Sequence, residues 1–382
     1  MKAYGILTTI IVCTALMPAG EIRAQSNQSW LIGIVEPLSG PLATEGSRRD
    51  KVNKMWAEQI NAQGGIAGRK VELMICNDEA RPEKSVACAR DMLDKKVTMI
   101  LSNSPTASSR VIQPLVRQGP PLIIPSPNVM PAPDSYGFQI STTTETNNTA
   151  IARFLSENGI RKLGMVVATD ATGEAEVNAA QKVYQAHNIE LKIARIDLRA
   201  TDASTQLATV AGPDVHVIYV SYSGGGAATV VKSYQNLGLR QPMIVSYGNV
   251  SNAFVQLIKD VMPPRLLAVG VLGLAPELLK DPNQQKKTKD FIDAYSKRYG
   301  EPIDQLSLNA RAELDVVEAI LRNVPNPYDF PAVKKFLETT PINGTRFKGF
   351  SPSNHIGPGP NDIMIVELKN GRWTKADPVR PK

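Results

Sequence analysis

The sequence predicts an α/β protein of two lobes, each a parallel sheet flanked by helices. Short apolar runs bounded by turn residues alternate with segments of helical period and length. That alternation is interrupted once, by the polar stretch Ser141–Thr149, and then restarts as a second array. The length, 382 residues, suits about two domains.

The elements follow in order. Trp30–Val35 is an apolar run closed by Pro37, Gly40 and Pro41, the pattern of a strand buried on both faces of a parallel sheet. Val52, Met55, Trp56 and Ile60 then recur at i, i+3, i+4 and i+8, the stripe of a helix packed on that sheet. Gly64-Gly65 ends the helix, because a glycine just past the last periodic residue accepts a left-handed backbone. Gly68-Arg69 turns the chain into Val71–Cys76, which completes strand, crossover helix and parallel strand. Runs at Thr98–Leu101 and Leu122–Ile124 alternate with helical segments through Val86, Met92 and Leu93 and through Val111, Ile112, Leu115 and Val116. Ser141–Thr149 carries no period and reads as a connection.

The second array comprises Leu163–Val167, Leu191–Ile196, Val215–Val220 and Met243–Val245, each separated by a segment of helical length. After Leu266–Val271 the chain turns mainly helical, with stripes through Phe291, Ile292 and Tyr295 and through Leu314, Val317, Ile320 and Leu321. Ile363–Leu368 followed by Asn370-Gly371 and Trp373 is the signature of a hairpin that finishes the second lobe.

The N-terminus has Lys2, an apolar region over Ala3–Met17, the helix breaker Pro18 and the small Ala24 before Gln25. This predicts a cleavable signal peptide over residues 1–24 and a periplasmic mature protein. Cys13 lacks the preceding small residue of a lipid-modified cysteine, and no later segment approaches the roughly 20 apolar residues of a spanning helix. Cleavage leaves Cys76 and Cys88, and in an oxidising compartment that pair is expected to be bridged. Metal ligation is the alternative, but two thiols without a neighbouring histidine fall short of a structural zinc site. His187, His216 and His355 are scattered and read as surface or packing residues. The formal charge of +7 is mild for this length, and basic residues are interspersed with acids. Nucleic acid is therefore not an expected partner.

Enzyme motifs are missing. The sequence has no G-x-S-x-G, no H-E-x-x-H, no P-loop and no G-x-G-x-x-G behind the first strand, so no cofactor is expected. Ser223-Gly224-Gly225-Gly226 could cradle an anion at a helix start, or could be a tight turn beside a cleft. Glu174 and Glu176 lie on a segment of solvated helical character and are assigned no role. Two loops stand out at strand ends, Ser102–Thr106 and Ser126–Asn128. Their hydroxyls and helix-start amides suit a carboxylate, and the same residue types are equally apt as helix caps.

The wording PLSGPLA from Pro37, INAQGGIAGRKVEL from Ile60 and the strand-closing Asn77-Asp78 resembles the branched-chain amino-acid (Leu/Ile/Val)-binding family of periplasmic ABC-transporter receptors. The resemblance implies a type I periplasmic-binding fold with a multi-strand hinge. The first lobe would span 25–145 and 273–345, and the second 146–272 and 346–382. It also implies a monomeric receptor that binds a small carboxylate-bearing solute between the lobes and hands it to an ABC permease. A sensing module of the same fold is one rival, and a secreted α/β hydrolase is another.

By the same resemblance, Ser104, Thr106, Ser126 and Asn128 hold the ligand's carboxylate. Tyr247 falls near the place of the family's acidic ammonium partner, and Glu45 near an aromatic residue of the first cleft loop. Glu45 and Asp170 then remain as ammonium partners, with Tyr222 and Tyr247 as aromatic walls or, alternatively, surface packing. The expected solute carries a carboxylate and need not be an α-amino acid.

Overall fold

The computed structural model describes residues 28–40, 42–197, 199–342 and 349–380; the expected signal peptide, residues 1–24, and Pro41 of the first loop lie outside them. The strands are β1 Trp30–Glu36, β2 Val71–Asn77, β3 Met99–Ser102, β4 Leu122–Ile124, β5 Gly137–Gln139, β6 Lys162–Ala168, β7 Glu190–Ile196, β8 Val217–Val220, β9 Met243–Val245, β10 Leu266–Val271, β11 Ile363–Lys369 and β12 Arg372–Lys375. The helices are α1 Ala43–Ala62, α2 Pro82–Asp94, α3 Thr106–Ile112, α4 Thr144–Glu157, α5 Ala171–Ala186, α6 Ser204–Val210, α7 Gly225–Asn236, α8 Asn252–Ile258, α9 Pro282–Tyr299, α10 Gln305–Asn323 and α11 Phe330–Thr339.

Two sheets organise these elements. The first runs β2-β1-β3-β4-β5 and the second β12-β11-β10-β9-β8-β6-β7. All pairings in the first are parallel, with Ile34 opposite both Ile75 and Leu101. In the second, β6 to β10 are parallel, and the C-terminal hairpin joins antiparallel, with Val269 opposite Ile365. The hairpin turn is made by Asn370 and Gly371, both at positive φ. This is the two-lobed α/β architecture that the alternating pattern predicts.

The stripe of α1 packs as its period requires. Val52, Met55, Trp56 and Ile60 are buried, and Gly65, at φ +84°, donates its N–H to Ile60 O at 2.9 Å to close the helix. The same helix lies against α10, where Trp56 Nε1 donates to Glu318 Oε1 at 2.7 Å and Arg49 Nη1 to Glu313 Oε1 at 2.8 Å. The helical region after β10 thus returns to the first lobe. Its α9 is tied to α1 by Arg298 and Glu58 at 2.6 Å and by Tyr299, which donates to Lys51 O at 2.8 Å.

Two connections between the lobes run side by side. Gln139 N–H donates to His355 O at 2.8 Å, and Gly357 N–H donates back to Gln139 O at 2.9 Å. At the third, Val271 N–H donates to the side chain of Gln305, the first residue of α10, at 3.1 Å.

One reading is corrected. Ser141–Thr149 is not all connection: α4 starts at Thr144, capped by the Thr143 side chain, which accepts from Thr146 N–H at 3.1 Å. Its apolar stripe, Ala150, Ile151 and Leu155, begins only in the second turn, so the first turn shows no period. The strand β5 was not read from the sequence. Its three residues sit at the edge of the first sheet and are too few to show a pattern.

The bridge is present. Cys76 at the end of β2 joins Cys88 of α2, with Cα atoms 5.8 Å apart.

Candidate functional site

A cavity of about 370 Å³ opens where the carboxyl ends of strands from both sheets face one another. The first lobe contributes Pro37 beyond β1, Glu45 and Arg49 of α1, Asn103–Pro105 beyond β3 and Pro125–Asn128 beyond β4. The second contributes Glu176 of α5, Tyr219 and Ser221–Ser223 at the end of β8 and Ser246–Gly248 beyond β9. The starts of α4 and α10 close the sides through Thr144, Asn147, Gln305 and Asn309.

Six of the eight residues singled out from sequence line this cavity: Ser104, Ser126, Asn128, Glu45, Tyr222 and Tyr247. Two do not. Asp170 caps α5, accepting from Gly173 N–H at 2.9 Å, and Thr106 reaches across to the neighbouring loop, donating to Pro127 O at 2.9 Å.

The serine loops are braced internally. Ser104 Oγ donates to the buried Asp78 Oδ1 at 2.6 Å, and Ser126 Oγ donates to the Ser104 carbonyl. Each hydroxyl has spent its proton on the protein, so towards the cavity it presents lone pairs. Asn128 is bound to the start of α4, its Oδ1 accepting from Thr144 N–H at 3.1 Å and its Nδ2 donating to Thr144 Oγ1 at 2.9 Å. Here the capping alternative is realised, and the residue lines the cavity as well.

The tyrosines form the second-lobe wall. Tyr247 Oη donates to Asn309 Oδ1 at 3.1 Å, and its carbonyl accepts from Gln305 Nε2 at 2.7 Å. The Tyr222 hydroxyl is buried without a partner among the described residues, and that burial pushes its pKa up. Beside them Ser223 and Ser246 share a hydrogen bond of 2.7 Å, and Gly224 at the start of α7 donates its N–H to Asn249 Oδ1 at 3.0 Å. Glycine at 224 serves the turn, at φ +80°.

Two charged side chains of the wall were not assigned from sequence. Arg49, 7% exposed, is the sole basic residue among the cavity-lining residues and is paired with Glu313. Glu176, 8% exposed, accepts from Asn148 Nδ2 at 2.8 Å and from Tyr219 Oη at 3.3 Å. Burial, only partly offset by these two donors, raises its pKa to about 7. The solvated reading of this segment is therefore corrected: Glu174 is exposed and paired with Arg195 at 2.8 Å, while Glu176 faces inward. The signal was in the periods. Arg49 falls on the stripe of Val52 and Trp56, and Glu176 on that of Ala180 and Val183, each a charged interruption of a buried face.

Behind the first-lobe wall lies Glu36, fully buried at the end of β1. Its carboxyl is raised to about 8, mainly by burial, against a weak hydrogen bond from Asn103 Nδ2 at 3.4 Å.

The profile of the family described as periplasmic binding protein matches residues 29–372. Among curated proteins, the Leu/Ile/Val-binding protein of Escherichia coli K12 is 20% identical over 318 residues, 82% of this chain and 83% of that one. Leu/Ile/Val-binding protein homolog 3 of Brucella melitensis is 20% identical over 312 residues, covering 80% and 82%. Among solved structures, an extracellular ligand-binding receptor from Rhodopseudomonas palustris HaA2 superposes with a TM-score of 0.76 at 19% identity, over 91% of this chain and all of that one (100%). The branched-chain amino acid transporter substrate binding protein LivJ of Streptococcus pneumoniae, in complex with isoleucine, gives 0.76 at 18% identity, over 93% and 100%.

Proposed function

This chain belongs to the periplasmic binding protein family, and from that membership we propose that it is an exported receptor that closes on a small carboxylate-bearing solute and delivers it to an ABC permease. The observation that supports this most is the cavity itself. It is built from both lobes at the carboxyl ends of their strands, and its one basic side chain, Arg49, belongs to the first lobe. A carboxylate suits that lobe through the charge of Arg49; the Ser104 and Ser126 hydroxyls, which donate to Asp78 and to the Ser104 carbonyl, would have to turn to the ligand to hold it. The tyrosine pair, Tyr222 and Tyr247, offers ring faces to the rest of the molecule. No covalent step is needed. A solute that contacts both lobes favours the closed state by its differential affinity for it, and the permease reads that state.

The ligands of the relatives put leucine, isoleucine and valine in the first test panel. Thermal shift of refolded, ligand-stripped protein against amino acids, amides, and aliphatic and aromatic carboxylates identifies the class. A ligand at 100 times its dissociation constant adds about 2.7 kcal/mol of stability. Stabilisation by uncharged amides alone, with none by any acid, would overturn the carboxylate reading. Loss of uptake of the identified acid on deletion of the gene tests the transport role, and undiminished uptake favours a sensing role.

A further inference from the structure

We infer that a second small-molecule site lies outside the cleft, beside the third connection between the lobes, and that it takes an uncharged molecule with an apolar body and a hydrogen-bond acceptor. This goes beyond the receptor reading and does not rest on it.

The cavity holds about 710 Å³, against about 370 Å³ for the cleft, and the two share no lining residue. The first lobe supplies one face of α9 together with Pro302 and Ile303. The second supplies Asn252 of α8 and residues 371–374 of the hairpin, and the chain that crosses between the lobes after β10 supplies Leu274, Pro276 and Glu277. A strip of hydrogen bonds divides this cavity from the cleft. Asn252 Nδ2 donates to Pro302 O at 3.0 Å on its own side, and Gln305 N–H donates to Val250 O at 3.3 Å on the side of the cleft. An occupant therefore touches both lobes without entering the cleft.

The lining decides the chemistry. Leu274 and Trp373 are buried, Ile292 and Ile303 half-buried, and together they give the wall an apolar body requires. At the rim, Lys286 and Lys289 are each neutralised on their own helix, by Asp290 and Asp293 at 2.5 Å. Arg372 and Glu277, one charge of each sign, have no ion-pair partner among the described residues. These charges cancel, so the rim favours neither sign, and an ion that entered would give up water for an apolar wall. Among the lining residues one buried polar atom is left over. The Trp373 indole N–H has no acceptor among the described residues, whereas those of Trp30 and Trp56 donate to Ile66 O at 2.9 Å and to Glu318 Oε1 at 2.7 Å. A buried donor without a partner is costly, and an acceptor on the occupant removes that cost.

Nuclear magnetic resonance of isotope-labelled protein tests this at the indole N–H signals of its three tryptophans, that of Trp373 being the one lost in Trp373→Phe. The probes are 4-phenylbutan-2-one, 4-phenylbutanoate and 4-phenylbutylamine, which share a body and differ in charge. The ketone is expected to move the Trp373 signal saturably and to leave those of Trp30 and Trp56 in place. Calorimetric titration should give the ketone an affinity at least tenfold above that of the acid and the amine, and Trp373→Phe, which keeps a ring and removes the donor, should weaken the ketone at least threefold. Ser296→Phe, which fills the cavity from α9, is expected to abolish the shift; should that variant not fold, Ile303→Phe fills it from the opposite side. A Trp373 signal that the ketone does not move up to its solubility limit overturns the inference. So does a shift that survives the filling variant, or an acid or amine that binds as tightly as the ketone. None of these outcomes bears on the cleft.

Discussion

Tyr247 of the second lobe donates its hydroxyl to Asn309 Oδ1 of α10 at 3.1 Å, a side-chain bond between the cavity wall and the helix that returns to the first lobe. The same turn of α10 reaches the second lobe through Gln305, bonded to the Tyr247 carbonyl and the Val271 N–H. Further along, α10 packs on α1 of the first lobe. Removing the hydroxyl with Tyr247→Phe should cost about 1 kcal/mol, the net worth of one intramolecular hydrogen bond. Urea unfolding measures it, and an unshifted midpoint would show that the bond is not kept in solution.

The Arg49–Glu313 pair is buried on both sides. Arg49→Gln leaves the Glu313 carboxylate without its guanidinium and should cost about 3–5 kcal/mol. Replacing both residues by methionine should recover much of that loss. A double substitution as damaging as the single one would mean that shape, not charge, holds this contact.

Stability should fall as pH rises from about 4.5 to 8. Glu36 and Glu176 have raised carboxyl pKa values, about 8 and about 7, so the folded chain holds protons that the unfolded chain gives up above its ordinary carboxyl range. The penalty is absent below that range and complete above the raised values. Glu36→Gln should therefore gain almost nothing at pH 4.5 and up to roughly 5 kcal/mol above pH 8. Denaturant melts at several pH values decide this, and a gain independent of pH contradicts it.

The Cys76–Cys88 bridge closes a short loop between β2 and α2. Replacing both cysteines by serine should cost about 3 kcal/mol in the chain-entropy model. Mass spectrometry of unreduced periplasmic protein should show no free thiol, and two free thiols there would remove the bridge from the native state.

Ligand binding should draw the lobes together. Small-angle scattering is expected to give a smaller radius of gyration with a saturating solute than without it. An unchanged profile would mean that the cavity fills without closure.

Much of this was legible because periodicity reports burial. The βαβ start from Trp30 to Cys76 and the hairpin at Asn370-Gly371 could be read directly, since each combines an apolar run with turn chemistry that admits few alternatives. The strand β5 could not, because three residues hold no period. In the site, the loops at Ser104 and Ser126 were found by residue type and position at strand ends. Glu176 was passed over because its segment was read as solvated, and Arg49 was given no reading, although each stood on its helix's buried stripe. Asp170 shows the converse. An acid at a helix start was read as a ligand for a cation, and its carboxylate serves the backbone.

The placement of the final hairpin bears on how the chain must be made. The strand β10, LLAVGV, is buried throughout and takes β11 as its neighbour on one side, with Val269 set against Ile365. Until the last part of the chain has emerged, that apolar strand offers a bare row of backbone donors and acceptors to any other strand nearby. A nascent or truncated polypeptide ending before Ile363 is therefore a sticky, unfinished object, and the second lobe is completed only when the C-terminal hairpin joins it. C-terminal truncations that remove this hairpin should aggregate instead of accumulating as half-molecules.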